Sequence, residues 1–266
     1  MAIAVETNSP DLWQSALPVP SADDNKYHRG YVAIYAAPEL TGATRLAASA
    51  CNRIGAGLVS VVAEKNADIY RTCLPPDIMV PTSRPAKSSV LLGGSGGISE
   101  NHFRELLGAR NVRARIFDAD ALPADFNVDQ LDESCILTPH FGEFGRVFGP
   151  VNGDPAGAAL RAAKLCGAHV VLKSARTIIA SPDGRIVAND HASPYLAKAG
   201  TGDVLAGLIA GLVAHGMPHF LATSAAVWIH GEAAIRFGPG LVASDIPEMV
   251  PAILRHLLAG TIPEWG

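Results

Sequence analysis

The sequence predicts an α/β protein, a three-layer α/β/α sandwich around a mostly parallel central sheet. Short strands alternate with helical segments along most of the chain, and several strands are continuous apolar runs, as in sheets that are buried on both faces. With 266 residues, 48% of them hydrophobic, the chain is long enough to bury a large core in one domain. We therefore expect an arm over residues 1–27 and a single domain over residues 28–266.

The elements before residue 100 begin with a βαβ unit. The polar, proline-containing start of the chain predicts an arm or a peripheral helix around Ser9 to Ala16. A β-rich run then predicts the first strand of the sheet, and Thr41 opens an alanine-rich helix that ends at a pair of glycines. The predicted strands and helix starts of this half are strand Tyr31–Ala36, helix from Thr41, strand Leu58–Val62, strand Ser89–Leu92 and helix from Ser99.

The second half continues the alternation and adds one hairpin. A Pro182-Asp183-Gly184 turn between two β-rich runs predicts that hairpin. The predicted strands are Arg115–Phe117, Cys135–Leu137, Val170–Leu172, Thr177–Ala180 and Arg185–Ala188. The predicted helices are 155–166, the apolar small-residue helix within Leu196–Leu212, His219–Phe237 and Ser244–Leu258.

Composition limits the classes of function. A formal charge of −4 and a pI near 6.1 give no electrostatic footprint for nucleic acid, and the apolar runs are too short to span a bilayer. The amino terminus has no basic region followed by a long apolar segment, so no secretory signal is expected. The four cysteines lie in apolar settings without metal-type spacing, which favours buried free thiols in a reducing cytoplasm. We expect a cytoplasmic protein that acts on a small molecule, without nucleic-acid or membrane partners.

Polar or glycine-rich segments follow the predicted strands. In parallel sheets the ligand crevice lies beyond the carboxyl ends of the strands, so these segments are expected to meet at one edge. They are Thr41–Ala43, Gly93–Gly97, Asp118–Leu122, Thr138–Glu143, Lys173–Thr177 and Ala199–Asp203. Turns alone do not require so many titratable groups, and the pattern therefore favours a ligand site.

The segment Gly200-Thr201-Gly202-Asp203 immediately precedes the apolar helix. Unpaired N–H groups and the helix dipole make a helix N-terminus suitable for an anion, and the glycines allow a phosphate to approach closely. Asp203 is then placed to take a proton from a substrate hydroxyl, although Asp is also a preferred helix cap. Alone, the tetrapeptide favours capping over catalysis.

The other strand-end residues each allow two interpretations. Asp118 and Asp120 fit capping of the next turn better than a paired acid–base role or the orientation of water or Mg²⁺ by one of them. His140 fits a loop histidine or a substrate contact equally well, and Glu143 fits a ligand or a helix-start acid. Lys173 fits a phosphate contact slightly better than a solvated lysine at the end of a strand. A P-loop pattern is absent from the sequence.

Five sequence segments together resemble the ADP/ATP-dependent NAD(P)HX dehydratases of the ribokinase-like superfamily. They are TGATRLAASACNRIGAGLVSV, DADAL, LTPHFGE, VVLKSARTII and AGTGDVLAGLIAGL, and they occur in the family's order from about His28 to Leu258. The resemblance implies a ribokinase-like catalytic domain that repairs hydrated NADH or NADPH. In that reaction the terminal phosphoryl group of ATP or ADP, with Mg²⁺, passes to the ring hydroxyl and then leaves as phosphate.

The resemblance also implies roles for individual residues. Asp203 is expected to be the catalytic base, with Gly200, Thr201 and Gly202 as the anion hole, and the helix dipole is expected to keep its pKa low. The implied nucleotide-binding residues are Lys173, Ser174, Ala175, Arg176, Thr177 and Gly202. The implied contacts with the hydrated nucleotide are Ala43, Gly97, His140 and Asp203. No resident metal ligands are implied.

The chain departs from the family pattern at four places. Ala36–Glu39 replaces a Gly-Gly-Ser stretch, Gly93–Gly97 replaces a GPGLG pattern, Ser174 replaces the glycine after Lys173, and Asn189–Pro194 replaces an Asn-Pro-rich approach to Gly200. Two alternatives therefore stay open: a small-molecule alcohol kinase that uses the same aspartate, and a nucleotide-binding protein without turnover. We also expect a homo-oligomer.

Overall fold

The computed structural model describes residues 4–259; residues 1–3 of the predicted arm and residues 260–266 of the predicted domain lie outside this range. The strands of the described chain are β1 Glu6–Thr7, β2 Tyr31–Tyr35, β3 Leu58–Val62, β4 Val90–Gly93, β5 Ala114–Phe117, β6 Cys135–Leu137, β7 His169–Leu172, β8 Thr177–Ala180 and β9 Ile186–Asn189. The α-helices are α1 Pro10–Trp13, α2 Thr41–Arg53, α3 Ala67–Cys73, α4 Glu100–Gly108, α5 Phe141–Phe148, α6 Pro155–Cys166, α7 Thr201–Ala214, α8 His219–Phe237 and α9 Asp245–Leu257.

The nine strands form one mostly parallel sheet in the order β1-β9-β8-β7-β6-β5-β4-β2-β3. Strand β8 runs antiparallel to both of its neighbours, β7 and β9, and the other described pairs are parallel. The predicted hairpin between β8 and β9 is confirmed, and Gly184 supplies the positive φ of +103° that its turn needs. The sheet therefore presents the ends of four adjacent parallel strands, β4 to β7, along one edge.

Helices cover both faces of the sheet, which confirms the predicted three layers. One apolar core packs α2, α7, α8 and α9 against one face, and a second packs α4, α5 and α6 against the other. Ser99 caps α4 by accepting a hydrogen bond of 3.2 Å from the His102 N–H, in agreement with the predicted helix start. Helix α3 has no counterpart in the sequence prediction, because its seven residues give too short a periodic pattern.

Helix α7 is buried along almost its whole length and packs tightly against α2. A Cβ atom added at Gly207 would lie 2.1 Å from the carbonyl oxygen of Ala47, and one added at Gly211 would lie 2.1 Å from Cγ2 of Ile54. The two glycines therefore allow the helix backbones to come close, which fixes where the N-terminus of α7 meets the edge of the sheet.

The amino-terminal segment is joined to the domain rather than peripheral to it. Strand β1 pairs with β9, and Asn8 is buried and donates to Oδ1 of Asn189 and the carbonyl of Ser224, at 2.9 and 2.8 Å. Trp13 is fully buried, and its indole N–H donates to Asn8 at 3.1 Å. The helix expected around Ser9 to Ala16 is present as α1, but the expectation that this segment is peripheral is wrong for residues 6–13.

The structure also bears on two expectations drawn from composition, those on the cysteines and on membrane spans. Cys51, Cys135 and Cys166 are buried free thiols as predicted, but Cys73 is exposed at the end of α3. Over residues 4–259, the structure contains no helix with both the length and the hydropathy that a membrane crossing requires.

Candidate active site

Four polar side chains follow the four adjacent parallel strands and meet in one network. Asp118, which follows β5, is 1% exposed. Its Oδ1 accepts from Lys173 Nζ at 2.9 Å and from the hydroxyl of Thr138 at 2.7 Å, and its Oδ2 accepts from the hydroxyl of Ser95 at 3.0 Å. Asp118 makes no capping hydrogen bond to the next turn, so the expectation that it acts as a cap is wrong. Asp118 is therefore the common acceptor of this network at the carboxyl ends of β4 to β7.

Asp203 lies in the first turn of α7, facing the same network. Burial, and then the negative charge of Asp118, raise the pKa of Asp203 to about 6, while Lys173 and the Ser95 hydroxyl act in the opposite direction. The expectation that the helix dipole keeps this pKa low is wrong, because loss of solvent contact and a neighbouring carboxylate outweigh the dipole. The residue at the helix N-cap is Gly200, so Asp203 does not serve as the cap.

Lys173 is held in the network rather than solvated. Burial by itself would lower the pKa of Lys173, but the carboxylates of Asp118 and Glu143 outweigh burial and raise it. The ammonium is therefore charged, and only 18% of the side chain is exposed. A Cβ atom at Gly202 would lie 3.3 Å from Nζ, so the glycine leaves room for the ammonium beside the first turn of α7.

The N-terminus of α7 is fixed from three sides. Gly200 has a φ of +92°, and a Cβ atom there would lie 2.6 Å from Leu46 Cδ1, so only glycine fits this position. The hydroxyl of Thr201 lies within hydrogen-bonding distance of two carbonyl oxygens of the preceding turn. Burial lowers the pKa of His230 to about 4, and its neutral ring donates from Nε2 to the Thr201 carbonyl at 2.9 Å. The free N–H groups of the first helical turn are thus aimed by rigid contacts.

A cavity of about 630 Å³ opens beside this helix end. Among the predicted nucleotide-binding residues, those that line the cavity are Lys173, Ser174, Ala175, Thr177 and Gly202. Thr201, of the predicted anion hole, lines it as well. Arg176 does not line it, because its guanidinium turns to the surface and pairs with Asp190 at 3.0 Å. The hydroxyl of Ser174 donates to the carbonyl of Arg176 at 2.7 Å, so the side chain that replaces glycine folds into its own loop.

The remaining predicted contacts lie outside this cavity. Ala43 packs against the glycine turn, since a Cβ atom at Gly96 would lie 2.6 Å from the Ala43 methyl. Gly97 has a φ of +121° and faces Pro38, whose Cδ would lie 3.3 Å from a Cβ there. The structure brings these residues together around the Gly94–Gly97 turn, next to the network that contains Ser95.

His140 and Glu143 form the N-terminal cap of α5. Nδ1 of His140 accepts from the N–H groups of Gly142 and Glu143, at 2.9 and 3.2 Å, and Glu143 accepts from the His140 N–H at 2.8 Å. Glu143 is thus a helix-start acid, one of the two predicted alternatives. The His140 ring is 58% exposed, which leaves its contact with a substrate a prediction.

Sequence reasoning missed three residues of this site. Ser95 and Thr138 reach Asp118 only because β4, β5 and β6 are neighbours in the sheet, and strand order is not written in local sequence. His230 approaches from α8, 29 residues after the carbonyl that it holds. Ser95 and Thr138 lie in polar segments that follow strands, which is a signal in the sequence. His230 lies in a mostly apolar stretch of α8, and nothing in the sequence points to it.

The described residues provide no ready-made metal centre. They contain no group of three or more His, Cys, Asp or Glu side chains that could hold a metal ion. Both carboxylate oxygens of Asp118 already accept hydrogen bonds from protein donors. The donor set therefore fits Mg²⁺ that enters bound to phosphate oxygens better than a resident ion.

Comparisons with known proteins agree with one another. A family model described as NAD(P)H-hydrate dehydratase matches residues 34–249. The chain is 35% identical to the bifunctional NAD(P)H-hydrate repair enzyme Nnr of Moorella thermoacetica, an alignment that covers 92% of this chain and 53% of that protein. It is 34% identical to the ADP-dependent (S)-NAD(P)H-hydrate dehydratase of Neisseria meningitidis serogroup B, over 84% of this chain and 78% of that protein. The chain thus spans about half the length of the bifunctional relative.

A solved structure has the same fold. The ADP/ATP-dependent NAD(P)H-hydrate dehydratase from Bacillus subtilis, co-crystallised with ATP and Mg²⁺, matches with a TM-score of 0.85 and 26% identity, over 96% of this chain and all of that one. The ribokinase-like α/β fold predicted for this chain is confirmed.

Proposed function

The chain belongs to the NAD(P)H-hydrate dehydratase family, and from that membership we propose that it removes water from hydrated NADH or NADPH at the expense of ATP or ADP. The observation that carries the proposal is the placement of Asp203. Its carboxylate lies at the N-terminus of α7 beside the charged Lys173, so a base and an anion site occupy the same point. Phosphoryl transfer to an alcohol needs both in one place.

The proposed nucleotide position follows from the lining of the cavity. Lys173 and Gly202 lie at the polar end, where the helix N–H groups and the ammonium suit phosphate oxygens. Leu205 and Val227 contribute an apolar surface that suits the base. The terminal phosphoryl group would then face Asp203, and the hydrated ring would approach from the side of Ala43, Gly97 and His140.

In the proposed reaction Asp203 accepts the proton of the ring hydroxyl while that oxygen forms a bond to the terminal phosphorus. The bond from phosphorus to the leaving nucleotide breaks, and ATP gives ADP or ADP gives AMP. The carbon–oxygen bond of the phosphorylated ring then breaks, with its electron pair leaving on phosphate. Loss of a proton from the neighbouring ring carbon completes the double bond of the dihydronicotinamide.

The anion hole stabilises charge that develops on the transferred group. In this anion hole Gly200 and Gly202 present their N–H groups, whereas the N–H of Thr201 donates to the Lys198 carbonyl at 3.4 Å. The two glycine donors need little reorganisation, because Thr201 between them is held by His230 and by its own hydroxyl bonds. Mg²⁺ bound to the nucleotide would neutralise further phosphate charge.

Turnover with hydrated NADH tests the proposal. Purified protein is mixed with hydrated NADH and either ATP or ADP plus Mg²⁺, and the absorbance of the dihydronicotinamide and the release of inorganic phosphate are followed together. We expect both to rise in equal amounts with at least one of the two nucleotides. Phosphate retained on an organic product would instead indicate a kinase, and nucleotide binding without turnover would refute catalysis. The kinase alternative is not favoured, since the family model and the curated relatives are dehydratases.

We predict that the activity falls on the acid side with an apparent pKa of about 6. Asp203 must be ionised to accept a proton, and its pKa is raised to about 6, so kcat/KM should fall about tenfold for each pH unit below that value. The measurement is a pH profile of kcat/KM between pH 4.5 and 8, with stability checked at each pH. An acid limb centred near 4 would contradict the burial of the base.

The remaining expectations also belong to the proposal. We propose a homo-oligomer in the cytoplasm, where the reduced cofactors that it repairs are used. Light scattering coupled to size-exclusion chromatography would test the assembly, and a single monomer peak at micromolar concentration would refute it.

A further inference from the structure

One wall of the nucleotide cavity is formed by a loop that contains one short 3₁₀ turn, Pro194–Leu196. The loop connects β9 to the turn before α7, and the cavity-lining residues that it contributes are Ala192, Ser193, Pro194, Leu196 and Ala197. Loops are the more mobile parts of a fold, so a wall of this kind needs contacts that hold it against the sheet and helices. Those contacts converge on His191, which the proposed reaction does not use.

The side chain of His191 is clamped between two residues of α8. Its ring stacks on the indole of Trp228, with the ring centroids 4.4 Å apart and the planes within 8° of parallel. Nε2 lies 2.7 Å from Oε2 of Glu232, whose other oxygen accepts from Arg236. We call His191, Trp228 and Glu232 the His191 clamp. None of the three lines the cavity.

The backbone of His191 is fixed as well. Its carbonyl oxygen would lie 1.9 Å from a Cβ atom at Gly231, so α8 and the loop are in direct backbone contact. The same oxygen accepts from Nδ2 of Asn189 at 2.9 Å, and Oδ1 of Asn189 accepts from Asn8 of the amino-terminal segment. Trp13 also packs on Trp228, with ring centroids 5.7 Å apart. The sheet edge and α8 therefore contact His191 directly, and the amino-terminal segment contacts Asn189 and Trp228, two of the residues that hold it.

We infer that His191 is a positioning residue for nucleotide binding: the His191 clamp holds the loop 190–197 in the shape that receives an adenine nucleotide. This inference rests on the proposed function only in taking an adenine nucleotide as the occupant of the cavity. The clamp acts before any chemistry, because a preformed wall spares the nucleotide the entropy cost of ordering it. It acts on the binding of the phosphoryl donor, and it reaches the first turn of α7 indirectly, through the Leu196 carbonyl that accepts from the Thr201 hydroxyl.

The test compares three variants by calorimetric titration with ATP and with ADP, and by steady-state kinetics. His191→Ala removes both arms of the clamp, and we expect about a five- to tenfold rise in the nucleotide Kd and KM. The kcat and the KM for hydrated NADH should stay within about twofold, since the clamp reaches the first turn of α7 only indirectly, through residues such as Leu196. His191→Phe keeps a ring on Trp228 and should recover much of the binding. His256→Ala, in the last turn of α9, is the matched control and should bind as wild type.

The outcomes separate this inference from the proposed function. If His191→Ala lowers the melting temperature but leaves the nucleotide Kd and KM unchanged, the clamp only stabilises the fold and the inference fails. If wild type binds ATP or ADP without dehydrating hydrated NADH, the proposed function fails, while a weaker Kd in His191→Ala still supports the clamp. If wild type binds neither nucleotide in the titration, both fail.

Discussion

Replacing Asp203 with asparagine should lower kcat/KM for hydrated NADH by about 10³-fold, because a positioned general base contributes 10²–10⁴-fold. Asparagine keeps the shape of the side chain but cannot accept the hydroxyl proton. The helix N–H groups, Lys173 and the cavity remain, so the Kd for ATP or ADP should stay within about threefold of wild type. Single-turnover kinetics and calorimetric titration on the same preparation measure the two effects.

Stability provides an internal control for that variant. The pKa of Asp203 is raised in the folded protein, so its protonated form favours folding, and that contribution is lost as the pH rises through about 6. At pH 7.5 a neutral asparagine avoids the buried charge, and the variant should melt at or above the temperature of wild type. Asp68→Asn, in the first turn of α3 with a side chain 96% exposed, is the matched control and should be fully active. Activity of Asp203→Asn within tenfold of wild type would refute the assignment of the base.

Gly207→Val should have the largest effect on stability. The added Cβ would meet the Ala47 backbone oxygen 2.1 Å away, and neither helix backbone can yield without moving the other. We expect the free energy of unfolding to fall by about 3 kcal/mol, at the upper end of overpacking effects, and the melting temperature by about 6–12 °C. Activity should fall with it, because the same contact places the N-terminus of α7. Chemical denaturation and thermal melting measure the change.

Gly145→Val controls for the loss of a helical glycine. Gly145 lies inside α5, and a Cβ atom there would have no neighbour within 4 Å. The same substitution should therefore alter the free energy of unfolding by less than about 1 kcal/mol. Equal destabilisation by the two variants would mean that the α2–α7 contact is not what makes Gly207 necessary.

Local sequence is sufficient to predict most of the sheet. Apolar runs such as Leu58–Val62 and the turn at Pro182–Gly184 contain their own signals, since strand periodicity and turn chemistry depend on neighbouring residues. Strand β1 and helix α3 are too short to give such a signal. Their positions depend on partners far along the chain, as when Asn8 bonds to Asn189.

The candidate site, like the sheet, could be predicted from the sequence only in part. Asp203 stands out in the sequence because it follows two glycines at the start of an apolar helix. Lys173 stands out because it directly follows the apolar strand β7. The role of Asp118 as their common partner could not be read in advance, since it depends on which strands are adjacent and on how far water is excluded. The pKa of Asp203 was mispredicted for the same reason: the helix dipole is visible in sequence, and burial is not.

The hydroxyl of Ser95 stands between two carboxylates and has only one hydrogen to offer. It donates to Asp118, and it also lies within reach of Asp203, where a hydrogen bond lowers the pKa. Once Asp203 has taken a proton it becomes a donor itself, and Ser95 can then accept from it while still donating to Asp118. The Ser95 hydroxyl can therefore donate to only one of the two carboxylates while Asp203 is ionised, and it can bond to both once Asp203 is protonated.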